Sequence, residues 1–91
     1  EKETENKRVK SVKLAGGLCL KFTSPGFDGG PDRLVLLPFG KLAFVEVKAP
    51  NKKTRPLQKA RHRLLKKLGF KVYVLDDAEQ IGGIIDEIQT T

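Results

Sequence analysis

The stretch GGPDRLVLLPFGKLAFVEVKAP, Gly29 to Pro50, predicts the central element of the fold. Two apolar segments, DRLVLL and KLAFVEVK, flank the short segment PFG, whose glycine can adopt a positive φ angle. This pattern predicts an antiparallel β-hairpin centred on Phe39. Residues equally distant from the centre of such a hairpin face each other. We therefore expect Asp32 and Glu46 to lie opposite one another, with their Cβ atoms about 5 Å apart.

Charged side chains at the ends of these two strands need an explanation, because the strands are otherwise apolar. Side chains alternate along a strand, so Glu46 and Lys48 point to one side, and Asp32 is expected to face Glu46. Two carboxylates so close repel each other unless one is protonated or a cation lies between them. A simpler interpretation also stands, in which the Asp after Pro starts a turn and EVK forms a solvated charge pair.

A magnesium ion would fit between the two carboxylates, since it prefers oxygen ligands and keeps several waters. Held in this way, Mg²⁺ polarises a phosphodiester, stabilises the developing charge and lowers the pKa of a water molecule. Lys48 would then position or help to deprotonate an attacking water, or offset negative charge. The spacing therefore allows a hydrolytic metal site at this end of the hairpin.

The composition predicts one soluble domain that spans residues 1–91. Hydrophobic residues make up 38% of the chain and charged residues 32%, which is typical of a folded protein. The apolar runs are far shorter than the ~20 residues that span a bilayer, so we expect no membrane association and a cytoplasmic location. One cysteine and one histidine exclude an internal disulfide and a Cys/His zinc cluster. Small domains often gain stability by pairing with a second copy.

Charge is distributed unevenly along the chain. The 18 Lys and Arg outnumber the 11 Asp and Glu, which gives a net charge of +7. Ten basic residues and no acid lie between residues 47 and 75, whereas residues 76–91 carry five acids and no base. A one-sided basic surface favours a polyanionic partner, most commonly nucleic acid. The alternative is a solvated basic face that only keeps the protein soluble.

Hydrophobic periodicity predicts the element order α-β-β-β-α-β-α, and hence an α/β fold with a mixed sheet flanked by helices on both faces. The predicted elements are a helix over 4–15, a strand over 18–22, the hairpin, a helix over 56–69, a strand over 70–75 and a final helix that ends near residue 89. The strand–helix–strand connection predicts that the last strand is parallel to its neighbour.

Apolar spacing also predicts which side of each of the last two helices faces inward. In the helix over 56–69 the predicted inner stripe consists of Leu57, Ala60, Arg61, Leu64, Leu65 and Leu68. In the final helix it consists of Ile81, Ile84, Ile85 and Ile88.

Several motifs now carry a resemblance to a known family. The pair PD at Pro31-Asp32, followed by EVK at Glu46 to Lys48, resembles the PD-(D/E)xK nuclease signature. The segments SPG, GGPDR, VEVKAP, RPLQ and LGFKVYV, in this order and spacing, resemble the VRR-NUC (virus-type replication-repair nuclease) domain from about residue 5 to residue 76. The resemblance implies a restriction-endonuclease-like fold and hydrolysis of DNA phosphodiesters that depends on Mg²⁺ or Mn²⁺.

The resemblance also implies roles for particular residues. Asp32 and Glu46 correspond to metal ligands, together with the backbone carbonyl of Val47. Lys48 and Gln58 correspond to catalytic residues. An acid of the first helix commonly completes such sites and corresponds to Glu5. The alternative is that Glu5 only complements the dipole of that helix.

Contacts with DNA are expected from basic and polar residues around these motifs, which would hold the phosphate backbone without reading bases. They are Ser24, Lys52, Lys53, Arg55, Lys59, Arg61 and His62. Two of them have alternatives: a Ser24 that only caps its loop, and a His62 that is a partly exposed structural histidine.

The resemblance favours a structure-selective DNA endonuclease of phage or prophage type, acting in the cytoplasm of a bacterial host. Stand-alone relatives resemble Holliday junction resolvases that act as homodimers, so we expect branched DNA as the substrate and a second copy of the chain as the partner. The final helix, which carries isoleucines and no basic residue, is one candidate dimer interface. Two alternatives remain: a nuclease directed at flaps or single strands, and a basic DNA-binding module without catalysis.

Overall fold

The observed elements follow the predicted order. A computed structural model describes residues 2–49 and 52–90, and the side chains from residue 7 onward. The elements are α1 (Lys2–Leu14), β1 (Leu18–Lys21), β2 (Arg33–Leu37), β3 (Lys41–Val47), α2 (Pro56–Lys67), β4 (Lys71–Leu75) and α3 (Ile81–Gln89), the last preceded by a 3₁₀ turn over Ala78–Gln80.

The four strands form one mixed sheet in the order β1-β2-β3-β4. β1, β2 and β3 pair antiparallel, and β3 pairs parallel with β4. Arg33 lies opposite Val45, so the next pair outward is Asp32 and Glu46. This register confirms the hairpin centred on Phe39. Phe39 itself adopts a φ of 67°, a left-handed conformation that is uncommon for a residue other than glycine.

One side of the sheet, which we call the core face, is closed by α1 and α3. The predicted burial of the four isoleucines of α3 is confirmed, and all four pack against the strands. Because these isoleucines are buried within the chain, a dimer interface on α3 would have to use its exposed side. The buried core consists of Val12, Val35, Leu37, Ala43, Val45, Leu75, Ile81, Ile84, Ile85 and Ile88.

The opposite side, which carries Phe44 and Glu46, is the site face, and α2 packs on it against β4. The inner stripe predicted for α2 is confirmed for Leu65 and wrong for its other members, none of which is buried. The buried residues of this helix are Gln58, His62 and Leu65. The helix is turned so that two polar side chains face the strand end that carries Glu46.

The remaining leucines of α2 lie on its flank and keep much of their surface exposed. Leu57, Leu64 and Leu68 are 48%, 42% and 65% exposed. Leu57 lies against Gly29, in the loop that joins β1 to β2. This flank therefore faces the part of the site face formed by β1 and β2, which no described helix covers.

Among the helices of the described ranges, none combines the length and apolarity needed to cross a membrane.

Candidate active site

Two carboxylates meet where the hairpin strands reach the edge of the sheet. Asp32 directly precedes β2, and Glu46 is the second-last residue of β3. The Oδ1 atom of Asp32 accepts a hydrogen bond of 3.1 Å from the backbone N–H of Val47, which fixes the aspartate against the neighbouring strand. The side chain of Asp32 is 41% exposed and that of Glu46 is 6% exposed. The pair therefore consists of one buried and one accessible acid.

The negative charge of Glu46 is only partly offset by the neighbouring groups. Its Oε2 atom accepts a hydrogen bond of 3.2 Å from Nε2 of Gln58 and lies 3.8 Å from Nζ of Lys48. Its Oε1 atom is buried and has no hydrogen-bond partner among the described residues. Burial, and next the charge of Asp32, raise the pKa of Glu46 above its ordinary value of 4.5, while Lys48 is the largest of the opposing influences. A further positive charge near Oε1 would offset the remaining negative charge and give this oxygen a partner.

Lys48 follows β3 and shares the side of the strand on which Glu46 lies. Its backbone N–H donates a hydrogen bond of 2.9 Å to the carbonyl of Leu75, which ties the residue to the parallel neighbour strand. Its side chain is 16% exposed. The ammonium group is therefore enclosed, yet it is too far from Glu46 for a hydrogen bond.

Gln58 connects the helix to the buried acid through both ends of its amide. Oε1 accepts a hydrogen bond of 3.0 Å from the backbone N–H of Arg55, at the start of α2. Nε2 donates to Glu46, so the orientation of the amide is fixed by two different partners. The residue is 5% exposed, which contradicts an ordinary helix-surface glutamine.

His62 lies one helical turn beyond Gln58 and also faces inward. It is 7% exposed, so the interpretation as a partly exposed structural histidine is wrong, and its burial leaves little surface for the expected contact with phosphate. Burial, and then the charges of Lys66 and Lys48, lower the pKa of the ring below its usual 6.5. The ring is therefore neutral at neutral pH, and it offers no positive charge to DNA.

Among the described side chains, which are those of residues 7–49 and 52–90, no three of His, Cys, Asp or Glu converge on one point. Glu5 belongs to α1, but its side chain lies outside the described part of the structure. The described acceptors are the carboxylates of Asp32 and Glu46, beside which the backbone of Val47 runs. A divalent cation fits this pair, because its charge would offset their repulsion and give the buried Oε1 of Glu46 a partner.

Arg33 is a site residue that sequence reasoning missed. Its Nη1 atom donates to the carbonyl oxygen of Asp32 at 2.9 Å and lies 3.7 Å from Oδ2 of the same residue. Arg33 therefore holds the backbone of Asp32 and lies near Oδ2, whereas Val47 holds Oδ1. The only signal for it in the sequence is its position directly after Asp32.

The residues expected to contact DNA differ in the exposure and contacts of their side chains. Lys52, Lys53, Arg55 and Lys59 are exposed around the start of α2. Arg61 instead holds the loop between β1 and β2: its Nε donates to the carbonyl of Asp28 at 2.8 Å, and its guanidinium lies 4.7 Å from the centre of the Phe27 ring. In the same loop, the carbonyl of Ser24 accepts a hydrogen bond from the backbone of Phe27.

Comparison with known proteins agrees with this arrangement. No family model matches the chain. A relative from Acyrthosiphon pisum secondary endosymbiont phage 1, named "Putative nuclease p44", is 48% identical over 79 residues, which are 87% of this chain and 85% of that protein. A solved structure of a VRR_NUC domain superposes with a TM-score of 0.85 at 34% identity and covers 94% of both chains. The chain therefore belongs to the VRR-NUC family of nucleases and has its restriction-endonuclease-like fold.

Proposed function

We propose that this nuclease is a DNA endonuclease that hydrolyses phosphodiester bonds with the help of Mg²⁺ or Mn²⁺. One observation carries the proposal: an acid pair, Asp32 and Glu46, lies beside an enclosed lysine, Lys48, at a rigid edge of the sheet. Purely structural ion pairs rarely bury an acid with one oxygen unpartnered, since that arrangement costs stability.

The cation would be held by the carboxylates of Asp32 and Glu46 and by the backbone carbonyl of Val47, with Glu5 as a further candidate. When bound, it would supply positive charge to the phosphate and a water of lowered pKa. Arg33 and the N–H of Val47 would keep Asp32 in place. The carboxylate of Asp32 is thus oriented by N–H groups that would not themselves bind the cation, which is typical of metal sites.

Lys48 would act on the substrate side of the site. Its ammonium group would orient the attacking water in line with the scissile bond, or offset the charge that develops on the phosphate oxygens. Gln58 would hold Glu46 in the ligating orientation, since its amide is itself fixed by Arg55. Exposed Lys52, Lys53 and Lys59 would bind the DNA backbone, and such contacts carry no base specificity.

We further propose that the substrate is branched DNA and that two copies of the chain act as a dimer. The supporting feature is an open apolar face, formed by Leu18, Leu20, Leu64, Leu68 and Phe70, which are 42–65% exposed. Exposed apolar side chains that form a contiguous patch commonly mark an interaction surface. The five residues carry no charge, so two identical copies with a net charge of +7 each can meet there without direct repulsion.

A cleavage assay tests the function. The purified protein is incubated with four-way junction, flap, single-stranded and linear duplex DNA, with Mg²⁺, Mn²⁺ or EDTA. We expect cation-dependent cleavage, strongest on the junction, and a loss of about 10²–10⁴-fold in Lys48→Ala with DNA binding retained. Lys13→Ala, which removes an exposed lysine of α1, is the matched control and should cleave normally.

The outcomes separate the alternatives. Preference for flap or single-stranded DNA would keep the site and change the substrate. Binding without cleavage on every substrate would leave a basic DNA-binding module. Full activity in Lys48→Ala would reject the role of this lysine.

A further inference from the structure

The loop that joins β1 to β2 forms a cleft of about 390 Å³, which we call the loop cleft. Its walls come from residues 22–25 and 27–31. Among them, Phe22 and Phe27 supply two half-buried aromatic rings. The volume lies in the range of clefts that bind small organic groups.

The loop cleft is joined directly to the acid pair. Lys21 lies opposite Arg33 across β1 and β2. The next pair outward is Phe22 and Asp32, and the backbone N–H of Phe22 donates a hydrogen bond of 2.9 Å to the carbonyl of Asp32. Opposed residues of neighbouring strands have Cβ atoms about 5 Å apart. Asp32 therefore lies between Glu46 on one side and Phe22, a wall of the cleft, on the other.

Contacts with neighbouring elements hold the walls of the loop cleft in place. The ring of Phe22 packs edge-on against that of Phe44 on β3, with the ring centres 5.4 Å apart. The guanidinium of Arg61 lies over the ring of Phe27, and Gly30 lies so close to this ring that a Cβ there would be 2.9 Å from it. Arg61 lies outside the walls, so it supports Phe27 without filling the cleft. The cleft is therefore formed before any ligand binds.

The charge of the loop cleft favours a nucleobase over a phosphate. The described wall residues include no Lys or Arg, although the chain carries 18 such residues. The one charged residue among them is Asp28, an exposed acid. A carboxylate repels a phosphate but accepts hydrogen bonds from the N–H groups of a base. Aromatic rings bind bases of any sequence by stacking, and an unpaired base has both its face and its edge free for such contacts.

We propose that the loop cleft receives an unpaired nucleobase of the cleaved DNA strand, next to the scissile phosphate. This inference rests on the proposed function, in which a cation on Asp32 and Glu46 acts on that phosphate. Taking a base out of its stack costs least where the base is already unpaired, as at a branch point. The loop cleft therefore favours branched over continuous duplex DNA, through stacking on Phe22 and Phe27 rather than through base sequence.

Binding measurements in EDTA test the proposal without any cleavage. The affinity of the protein is compared for a duplex with a single unpaired thymine and for the same duplex with an abasic residue at that position. The two DNAs carry equal phosphate charge, so a difference in affinity comes from the base. We expect the base to strengthen binding by about 5- to 150-fold, the range that stacking of one base on aromatic side chains supplies.

Substitutions identify the ring that binds the base. Phe27→Ala should remove most of the difference between the two DNAs, whereas Phe39→Ala, at an exposed phenylalanine of the hairpin turn, should keep it. A purely structural role of Phe27 would weaken the binding of both DNAs equally and leave their ratio unchanged. If Phe27→Ala does not fold, Phe27→Leu, which fills the space without an aromatic face, takes its place.

Equal affinities of the wild type for the two DNAs, or an unchanged ratio in the folded variant of Phe27, would overturn the proposal even if the protein cleaves DNA. A wild type that cleaves no DNA with Mg²⁺ or Mn²⁺ would reject the proposed function instead.

Discussion

Replacing Glu46 by Gln should stabilise the protein in the absence of divalent cations, although it should abolish cleavage. The carboxylate is buried, one oxygen is unpartnered among the described groups, and Asp32 lies nearby. Gln is isosteric and neutral, and its side-chain oxygen can still accept the hydrogen bond from Gln58. The substitution therefore removes a buried charge and keeps most of the packing.

The magnitude follows from two opposing contributions. Relief of a buried, unsatisfied charged acceptor is worth about 1–3 kcal/mol. Loss of the 3.8 Å contact with Lys48 removes at most about 1 kcal/mol, as for other imperfect ion pairs. A net gain of about 1 kcal/mol corresponds to a rise in Tm of about 4–8 °C for a domain of this size.

The dependence on pH has a definite sign. Burial raises the pKa of Glu46 in the folded state above the ordinary 4.5, so the folded protein binds the proton more tightly than the unfolded chain does. The destabilisation is complete above the folded-state pKa and absent below about 4.5. The advantage of Glu46→Gln should therefore be present at pH 7.5 and vanish at pH 4.

Thermal unfolding followed by circular dichroism in EDTA, at both pH values, measures this difference. Asp86→Asn, which changes an exposed acid of α3, is the control and should leave Tm unchanged. Addition of Mg²⁺ should stabilise the wild type, by about 2.7 kcal/mol at 100 times its Kd, and not the variant. A lower Tm for Glu46→Gln in EDTA at pH 7.5 would refute the view that this carboxylate is under-compensated.

Three further predictions test other parts of the molecule. Gly83→Ala should raise the free energy of unfolding by about 0.5–1 kcal/mol, because a Cβ there meets no described atom within 4 Å and the unfolded chain loses conformational freedom. An unchanged midpoint in urea unfolding would contradict this. Tyr73, the one tyrosine, should ionise at a pH of about 12 in ultraviolet titration, because burial and its hydrogen bond to Glu87 raise its pKa; ionisation near 10 would show an exposed phenol. If the protein forms the proposed dimer, Leu68→Asp should convert it to a monomer in analytical ultracentrifugation, whereas Leu14→Asp, at another exposed leucine, should not. An unaltered dimer in Leu68→Asp would exclude the open apolar face as the dimer interface.

Most of the fold follows from patterns that single segments carry. The hairpin register follows from the symmetry of residues around Phe39, and the burial of α3 follows from isoleucines at helical spacing. The orientation of α2 does not follow in this way. Its leucines define an apolar stripe, but Gln58 lies inward because its partner Glu46 is on a strand, and His62 follows on the same side one turn later. A helix pattern contains no information about such a partner.

The candidate site is also predictable from the sequence only in part. The spacing of Asp32, Glu46 and Lys48 predicts their convergence, because hairpin geometry fixes it. Arg33 was missed, since a residue next to an acid in a strand is normally expected to point away from it. The roles of these residues in catalysis stay predictions that the assays above must test.

The exposed leucines of α2 and its buried polar residues have one common cause. Adjacent residues of a helix are about 100° apart, so Leu57 and Gln58 cannot both face the sheet. Turning the leucine flank inward would carry Gln58 away from Glu46 and leave the buried carboxylate without its amide donor. The helix satisfies the acid instead, and Leu64 and Leu68 stay exposed on its flank. A second copy bound there would bury them, so the demands of the acid pair create the same surface that dimerisation would use.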